Sequence, residues 1–331
     1  MKAIIERPNR GSIARAAARL RAGELIAFPT ETVYGLGADA SRAEAVRKIF
    51  AAKGRPVDHP VIVHLHDTRG LAQWTRAVPS AAQALAAAFW PGPLTLILAR
   101  AAEVDAAVTG GQDTVGVRVP SHPVARALLA EFGGGIAAPS ANRFGRISPT
   151  SAHHVAEDLG DAVSLILDGG PCLVGIESTI VAFADNEPTL LRPGAVRVAD
   201  LERVLGRRLR SPAADAPRAP GTLAAHYAPR TPATLVPPGA LHAELEQLAE
   251  RDEAIAVLAR TVSRPAEFSD TWIGAPRDAA AYAHDLYANL RALDNANADA
   301  ILVEAVPTDD EWLAVRDRLE RATRGEDDDR D

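Results

Sequence analysis

The sequence predicts an α/β protein with two domains, a larger one built on a twisted mixed sheet and a smaller one with alternating strands and helices. Three observations support this prediction. The chain has 331 residues, which is enough to build two separate cores. Short apolar runs bounded by turn-forming residues are mixed with longer segments of helical periodicity. A proline-rich stretch at residues 211–232 separates an irregular first pattern from a regular second one.

The first part of the chain contains helices and strands in mixed order. Helical periodicity predicts helices at residues 11–22, 42–52, 80–89 and 123–131. Apolar runs predict strands at residues 25–28, 61–65, 94–98, 115–119, 136–138, 165–167 and 178–183. Because strands and helices do not alternate strictly, we expect parallel and antiparallel pairs in one sheet, within a domain at residues 1–207.

The second part of the chain alternates regularly. Strands are predicted at residues 233–236, 254–259, 271–274 and 300–304, and helices at residues 240–250, 277–293 and 310–322. This order predicts a small Rossmann-like α/β domain at residues 233–331, joined by a proline-rich linker or lid at residues 208–232. The domain has no glycine-rich phosphate fingerprint, so we assign it no cofactor site. It ends in an acidic tail, Glu326–Asp331, which we expect to be solvated.

Composition and charge exclude several classes of protein. Hydrophobic residues make up 47% and charged residues 24%, which is ordinary for a soluble globular protein. No apolar stretch approaches the roughly twenty residues of a membrane helix, and the N-terminus lacks the apolar core of a signal peptide. The net charge of −7 disfavours a dedicated nucleic-acid binder. A single cysteine, Cys172, allows no intramolecular disulfide and no cysteine-built zinc site, so we expect a cytoplasmic protein.

The segment Pro29–Gly37 has the densest group of polar residues next to a predicted strand. It directly follows the strand at residues 25–28, so its threonines lie at the carboxyl end, where ligands bind in open α/β sheets. Lys53 and Arg55 follow further along the chain, after a predicted helix. Hydroxyl groups and a pair of cations suggest a phosphate-bearing ligand. A solvated helix end is the alternative, since cations favour helix C-termini.

Other polar residues follow other predicted strands. Arg118, inside an apolar strand, requires either an acidic partner or a substrate carboxylate, because an unpaired buried charge is costly. Ser140 and Asn142 follow the strand at residues 136–138. A helix is predicted to begin near Ser148, where Ser148 or Thr150 serves as its N-cap, a phosphate binds at the helix N-terminus, or both.

Several further residues are weak indications when taken singly: Ser178, Arg192, His59 and His64. No nucleophile elbow, plausible Ser/His/Asp set or Walker loop is present in the sequence. The polar residues are therefore typical of a site that positions substrates and stabilises charge, without a catalytic nucleophile.

Taken together, the motifs resemble the YrdC-like family. The strings that carry the resemblance are PTETVYGLG, KGRPVDHPVIVH, WPGPLT, VRVP, APSAN, SPT, ESTI and LRPG, in unbroken order over roughly residues 10–205. The string APGTLAAHYAP at residues 219–229 and the α/β second half resemble the long, two-domain form of the family. The resemblance implies a YrdC-like twisted mixed sheet with a concave cleft.

The resemblance also implies an activity. Such an enzyme makes L-threonylcarbamoyladenylate and pyrophosphate from L-threonine, bicarbonate and ATP, with Mg²⁺ accompanying ATP and no organic cofactor. A tRNA threonylcarbamoyl-transferase complex then uses the product to modify adenosine 37 of tRNA, and direct tRNA contact by the synthase is expected to be weak. Carried over by motif position, the threonine-binding residues are Thr32, His64, Arg118 and Ser178. The ATP-binding residues are Lys53, Arg55, His59, Thr114, Ser140, Asn142, Ser148, Arg192 and Tyr227, the last closing over the nucleotide from the linker.

The chain departs from the family pattern at two places. His59 stands where asparagine is frequent, and Thr222 stands where methionine is expected, with no basic residue at positions 223–225. Three alternatives to the synthase are an RNA-binding module, a YrdC-like paralogue with a different acyl or carbamoyl substrate, and the related carbamoyltransferase of hydrogenase maturation. The first is disfavoured by net charge and the third by the single cysteine, which cannot build that enzyme's zinc-finger segments.

Overall fold

A computed structural model describes residues 3–184 and 187–324, so the predicted acidic tail lies outside the described residues. The chain divides into two compact units. The first comprises Met1–Phe144 and Ser148–Thr222, and the second comprises Gly145–Ile147 and Leu223–Asp331. Most of the predicted linker therefore groups with the first unit. The short segment Gly145–Ile147 belongs to the second unit, where the amide of Ala228 donates to the carbonyl of Gly145 at 2.9 Å.

The first unit contains a ten-stranded sheet. Its strands are β1 (Ile4–Glu6), β2 (Ile26–Phe28), β3 (Gly35–Asp39), β4 (Ile62–His64), β5 (Leu94–Ala99), β6 (Thr114–Arg118), β7 (Ile136–Ala137), β8 (Leu165–Leu167), β9 (Thr179–Ala184) and β10 (Glu187–Arg192). They lie in the order β1-β8-β2-β3-β7-β4-β6-β5-β9-β10. Strand β4 runs parallel to β6 and antiparallel to β7, and β5 runs antiparallel to β6. The predicted mixed sheet is confirmed.

Helices cover both faces of this sheet. They are α1 (Arg10–Arg21), α2 (Ala43–Lys53), α3 (Leu71–Trp74), α4 (Ser80–Phe89), α5 (Ala106–Thr109), α6 (Pro123–Phe132), α7 (Ala152–Leu159) and α8 (Val198–Leu205). Helices α1 and α6 pack in one apolar cluster with β2, β7 and β8. Helices α2, α4, α7 and α8 contribute to the larger cluster on the opposite face. A third cluster, formed by residues of β4, β5 and β9, is closed by Ala219 of the linker rather than by a helix.

Strand β3 begins inside the segment Pro29–Gly37 and contains Gly35 and Gly37. Both glycines pair with β2 in an antiparallel ladder. A Cβ atom at Gly37 would lie only 3.0 Å from Phe28 and 3.1 Å from Ile136, so glycine is needed there for close packing. The other edge of β3 pairs with β7, a segment distant in sequence, through Ala38 and Asp39.

The second unit contains a four-stranded sheet in which every pair is parallel. Its strands are β11 (Ala233–Val236), β12 (Ile255–Ala259), β13 (Thr271–Gly274) and β14 (Ala300–Glu304), in the order β11-β14-β12-β13. Its helices are α9 (Leu241–Ala249), α10 (Ala279–Asp294) and α11 (Leu313–Ala322). The predicted Rossmann-like α/β unit is confirmed. Within the described ranges of both units, no helix is long and apolar enough to cross a membrane.

Candidate functional site

Three buried polar side chains lie next to one another across the centre of the large sheet. His64 of β4 is the register partner of Arg118 of β6. Strands β5 and β6 form an antiparallel ladder in which Leu96 pairs with Val117. The next residues along the two strands are Thr95 and Arg118, so Thr95 lies beside Arg118. All three residues are less than 5% exposed. Residues at neighbouring register positions point to the same face of a sheet, so these polar groups share one surface.

Arg118 has an acidic partner, one of the two possibilities that its position in an apolar strand left open. Its Nη2 lies 2.6 Å from Oε1 of Glu31, its Nη1 donates to the hydroxyl of Thr32 at 2.9 Å, and its Nε donates to the carbonyl of Gly92 at 3.3 Å. Oε2 of Glu31 accepts from the amide of Ser121 at 3.1 Å. The ion pair does not exclude a substrate carboxylate, since a guanidinium has five N–H donors.

Electrostatics keep Glu31 ionised. Burial raises the pKa of this carboxyl, but the charge of Arg118 and the hydrogen bonds from Arg118 and Ser121 outweigh it, so the pKa lies below its ordinary value. A carboxylate and a guanidinium thus face one another in a buried environment, and each compensates the other's charge.

Thr32 is held by a local turn. The hydroxyl of Thr30 donates to the carbonyl of Val33 at 2.6 Å and accepts from the amides of Thr32 and Val33, both at 3.2 Å. It also lies 2.8 Å from the hydroxyl of Thr32. This turn fixes the Thr32 hydroxyl against Arg118.

His64 is buried in its neutral form. Burial, aided by the charge of Arg118, lowers its pKa to about 3. Its ring meets that of Phe28 edge to face, with centroids 6.1 Å apart. Among the residues that the structure describes, its Nδ1 has no hydrogen-bond partner. A buried ring nitrogen without a partner is costly, and a bound ligand group could satisfy it.

Ser178 and Arg192 lie together beside Thr95. The hydroxyl of Ser178 is 2.8 Å from that of Thr95. Arg192 donates to the carbonyl of Ser178 through Nε at 3.2 Å and Nη2 at 2.9 Å. Its Nη1 donates to the carbonyl of Pro220 in the linker at 2.7 Å. Arg192 therefore joins the predicted threonine-binding Ser178 to the linker, while its predicted ATP contact stays a prediction.

Lys53, Ser140 and Asn142 form a second group at the end of α2. Nζ of Lys53 donates to the carbonyls of Ser140 and Asn142 at 2.7 and 2.5 Å. Lys53 and Asn142 are buried, whereas Ser140 is partly exposed. These contacts bring the three residues together, and nucleotide binding by them stays a prediction.

Arg55 and His59 flank Phe144. The guanidinium of Arg55 lies 5.8 Å from the ring centroid of Phe144, and the ring of His59 meets Phe144 edge to face at 5.3 Å. Burial and the charge of Arg55 lower the pKa of His59, so its ring is neutral at neutral pH. Thr114 is the partly exposed first residue of β6. Nucleotide binding by Arg55, His59 and Thr114 stays a prediction.

Ser148 is not the N-cap that its position suggested. Helix α7 begins later, at Ala152, and Ser151 caps it by accepting from the amide of His154. The fully buried hydroxyl of Ser148 donates instead to Oε1 of Glu177 at 2.6 Å. The N-cap prediction was wrong because three hydroxyl residues, Ser148, Thr150 and Ser151, precede this helix and the local sequence does not distinguish them. The contact with Glu177, which is distant in sequence, holds Ser148 away from the helix, and Ser151 is the N-cap.

Residues 218–222 of the linker lie on the first unit. The side-chain amide of Gln112 accepts from the backbone N–H of Arg218 at 2.7 Å and donates to its carbonyl at 3.2 Å. The guanidinium of Arg218 donates to the carbonyl of Gly110 at 2.7 Å. Ala219 is buried in the apolar cluster of β4, β5 and β9. Because alternate residues of a strand share a face, this cluster occupies the same face as His64 and Thr95.

Tyr227 lies in the second unit. It is 1% exposed and adopts a left-handed backbone conformation, with φ of 64°. Its ring centroid lies 5.6 Å from that of Tyr287 and 5.3 Å from the guanidinium carbon of Arg318. These contacts give Tyr227 a packing role, and its predicted contact with ATP stays a prediction.

Three residues of this site escaped the sequence prediction: Glu31, Thr95 and Glu177. Glu31 could have been found, since a buried arginine requires an acidic partner and Glu31 lies within PTETVYGLG. In the described part of the chain, no three His, Cys, Asp or Glu side chains form a cluster that could hold a metal ion.

Two family models match the chain. The model described as telomere recombination, which groups Sua5, YciO and YrdC proteins, matches residues 18–194. The model described as the C-terminal domain of threonylcarbamoyl-AMP synthase matches residues 196–323. The two matches meet at residues 194–196, close to the end of the large sheet of the first unit.

Similar proteins agree with these matches. The chain is 41% identical over 327 residues to a threonylcarbamoyl-AMP synthase of Bacillus subtilis, covering 96% of this chain and 94% of that protein. A crystal structure of Pyrococcus abyssi Sua5 with L-threonine has a TM-score of 0.89 at 38% identity and covers 97% of each chain. Escherichia coli YciO has a TM-score of 0.52 at 26% identity, covering 60% of this chain and 98% of YciO. The predicted YrdC-like fold is confirmed.

Proposed function

The chain belongs to the Sua5/YciO/YrdC family, and we propose that it is an L-threonylcarbamoyladenylate synthase. The reaction joins L-threonine, bicarbonate and ATP into L-threonylcarbamoyladenylate and releases pyrophosphate. The observation that carries the proposal is the meeting of Thr32, His64, Arg118 and Ser178 around one face of the sheet. These are the four residues to which motif position assigned threonine.

An amino acid substrate suits the charges of this site. The guanidinium of Arg118 offers a carboxylate two N–H donors beyond those used by its three protein partners. The unpartnered Nδ1 of His64 and the hydroxyls of Thr32 and Ser178 offer polar contacts to an ammonium or hydroxyl group. A short side chain with one hydroxyl, such as that of threonine, matches this set of partners.

The proposed chemistry needs positioning rather than a protein nucleophile. The threonine nitrogen attacks the carbon of bicarbonate, and loss of water leaves an N-carboxylate. An oxygen of this N-carboxylate then attacks the α-phosphorus of ATP, and the bond to pyrophosphate breaks. Negative charge develops on the phosphate oxygens in this step, and cations that are already in position stabilise it. Arg55, which motif position assigns to ATP and which lies over the ring of Phe144, is the cation that we propose for this role.

Water must be excluded because the product is a mixed anhydride that hydrolyses. The docking of residues 218–222 onto the first unit supports this requirement. The linker covers the part of the sheet face that carries no helix, next to the polar residues His64 and Thr95. We propose that the docked linker is the closed form of a lid.

We further propose that this protein works in the cytoplasm and hands its product to a transferase complex that modifies tRNA. ATP would bring Mg²⁺ bound to its phosphates, as is usual when few carboxylates are available. Direct binding of tRNA is expected to be weak, because the net charge of the chain is −7.

The decisive experiment measures pyrophosphate release from ATP with each amino acid in turn, with and without bicarbonate. Release that requires both L-threonine and bicarbonate, with threonylcarbamoyladenylate as the product, supports the proposal. Release with another amino acid would indicate a family paralogue with a different substrate. Binding of tRNA at physiological salt without threonine-dependent release would indicate an RNA-binding module and overturn the proposal.

A further inference from the structure

Lys53 is a buried lysine whose hydrogen bonds all go to one short segment. Its side chain is 3% exposed. Among the described residues, its Nζ donates only to the carbonyl of Ser140 at 2.7 Å, the carbonyl of Asn142 at 2.5 Å and Oδ1 of Asn142 at 3.4 Å. An ammonium group has three N–H donors. The three donors of Lys53 therefore match three protein oxygens, and a phosphate oxygen could bind only by displacing one of them.

The main chain of Lys53 holds the same segment from its other end. Its carbonyl accepts from the amide of Phe144 at 2.9 Å. This contact is available because α2 ends at Lys53, with Gly54 in the left-handed conformation at φ of 65°. One residue thus fixes both the beginning and the end of the Ser140–Phe144 segment.

The opposite side of the segment is held by Tyr34 and by Gly35, the first residue of β3. Ser140 forms an isolated antiparallel bridge with Gly35, and the amide of Ala141 donates to the carbonyl of Tyr34 at 2.9 Å. The segment therefore lies between Lys53 on one side and Tyr34 and Gly35 on the other. If the Lys53 ammonium left for a ligand, two carbonyls would lose the donor that satisfies them in a buried environment.

We propose that Lys53 is a positioning residue that fixes the Ser140–Asn142 segment, and that it does not itself bind phosphate. The part of this inference that concerns ATP rests on the proposed function. Arg55, two residues further on, carries the phosphate contact, and Ser140 and Asn142 bind the nucleotide in the geometry that Lys53 imposes. Burial and the charge of Arg55 lower the pKa of Lys53, whereas the carbonyl oxygens that accept from its Nζ favour the charged ammonium.

The first test requires no nucleotide. Hydrogen exchange of the 140–144 amides, measured by mass spectrometry on the whole protein, is compared in the wild type, Lys53→Met and Lys53→Arg. We expect about tenfold faster exchange in both variants, because neither side chain reproduces three N–H bonds from one nitrogen. Unchanged exchange would overturn the proposal. If Lys53→Met does not fold, Lys53→Gln takes its place.

The second test is a double-mutant cycle on the affinity for ATP. If Lys53 acts through Asn142, the two effects on ATP affinity do not add. The double variant Lys53→Met/Asn142→Ala then has nearly the same affinity for ATP as the single variant with the lower affinity. Arg55→Met combined with Asn142→Ala is the matched control, and we expect its effects to multiply. Lys53→Arg, which keeps the charge, should lose about as much affinity as Lys53→Met.

The opposite results would identify Lys53 as a phosphate ligand. Effects of Lys53→Met and Asn142→Ala that multiply, together with near wild-type affinity in Lys53→Arg, would overturn the proposal. If the wild type binds no ATP, the proposed function fails, and the exchange experiment still decides whether Lys53 fixes the segment.

Discussion

Arg118 and Glu31 form an ion pair inside the first unit, with Nη2 and Oε1 2.6 Å apart and both side chains about 95% shielded from solvent (4% and 5% exposed). The pair connects the carboxyl end of β6 with the turn that follows β2. It fixes the guanidinium beside the Thr32 hydroxyl before any substrate arrives. Stability and substrate binding therefore depend on the same arginine, and they have to be separated by experiment.

Replacing Arg118 by alanine should lower both stability and threonine use. Glu31 would be left as an unpaired buried charge, which typically costs about 3–5 kcal/mol of unfolding free energy. The Michaelis constant for threonine should rise at least about tenfold, with a smaller effect on ATP. Denaturant unfolding and steady-state kinetics measure the two effects.

The double variant Arg118→Leu/Glu31→Leu separates these effects. Removing both charges should restore much of the stability, because no unpaired charge remains. The requirement for threonine should stay high, because the carboxylate ligand is absent. A double variant that regained normal threonine use would show that Arg118 does not bind the substrate carboxylate.

His64 should make the first unit less stable in acid. Its pKa is about 3 in the folded protein and 6.5 for the free side chain, so the unfolded state takes up a proton first. The stabilising effect is complete above pH 6.5 and is lost as the pH falls from 6.5 towards 3. In this range the unfolding free energy falls with decreasing pH, and His64 contributes up to about 1.4 kcal/mol per pH unit to that slope.

Urea unfolding between pH 7 and pH 4 measures this slope. His64→Asn should flatten it, whereas His153→Asn, at an exposed position of the same unit, should leave it unchanged. Equal slopes in the wild type and in His64→Asn would mean that His64 has the same pKa in the folded and the unfolded protein, which would contradict the prediction.

Gln112→Ala should loosen the linker. The side-chain amide of Gln112 makes two hydrogen bonds to the backbone of Arg218, each worth about 1 kcal/mol. Hydrogen exchange of residues 216–222 should therefore become about tenfold faster, and more adenylate should be hydrolysed per turnover. Gln83→Ala is the control, since the side chain of Gln83 donates to the nearby carbonyl of Val78, away from the linker. If hydrogen exchange became faster but no more adenylate were hydrolysed, the linker would not be what excludes water from the product.

Tyr227→Ala should destabilise the second unit by about 3–5 kcal/mol, because it removes a buried ring that packs against Tyr287. Tyr227→Phe keeps the ring and should retain most of the stability. Calorimetric melting of the full chain measures the loss. An alanine variant that melts normally but releases adenylate for hydrolysis would instead support the contact with ATP that the family resemblance implies.

The sequence predicted most of the fold because local patterns sufficed. The strand at residues 25–28 and the helix at residues 80–89 have clear boundaries, and the structure places both within one residue. The regular alternation after residue 232 predicted the second unit, since parallel strands require crossover helices. Strands β1, β3 and β10, the short helices α3 and α5, and helix α8 were missed. Strand β3 depends in part on a distant partner, as the pairing of Ala38 with Ala137 shows.

The sequence alone indicated that Pro29–Gly37 belongs to a site, because polar groups that follow a strand of an open α/β sheet lie where ligands bind. The set Thr32, His64, Arg118 and Ser178 came from motif position in the YrdC-like family, since several of these residues are weak indications when taken singly. The tertiary structure decided what each group does there. In the fold, Arg118 forms an ion pair with Glu31, the hydroxyl of Ser148 donates to Glu177, and Lys53 donates to the carbonyls of Ser140 and Asn142. Such partners are fixed by burial and distance across the fold, and no spacing along the chain encodes them.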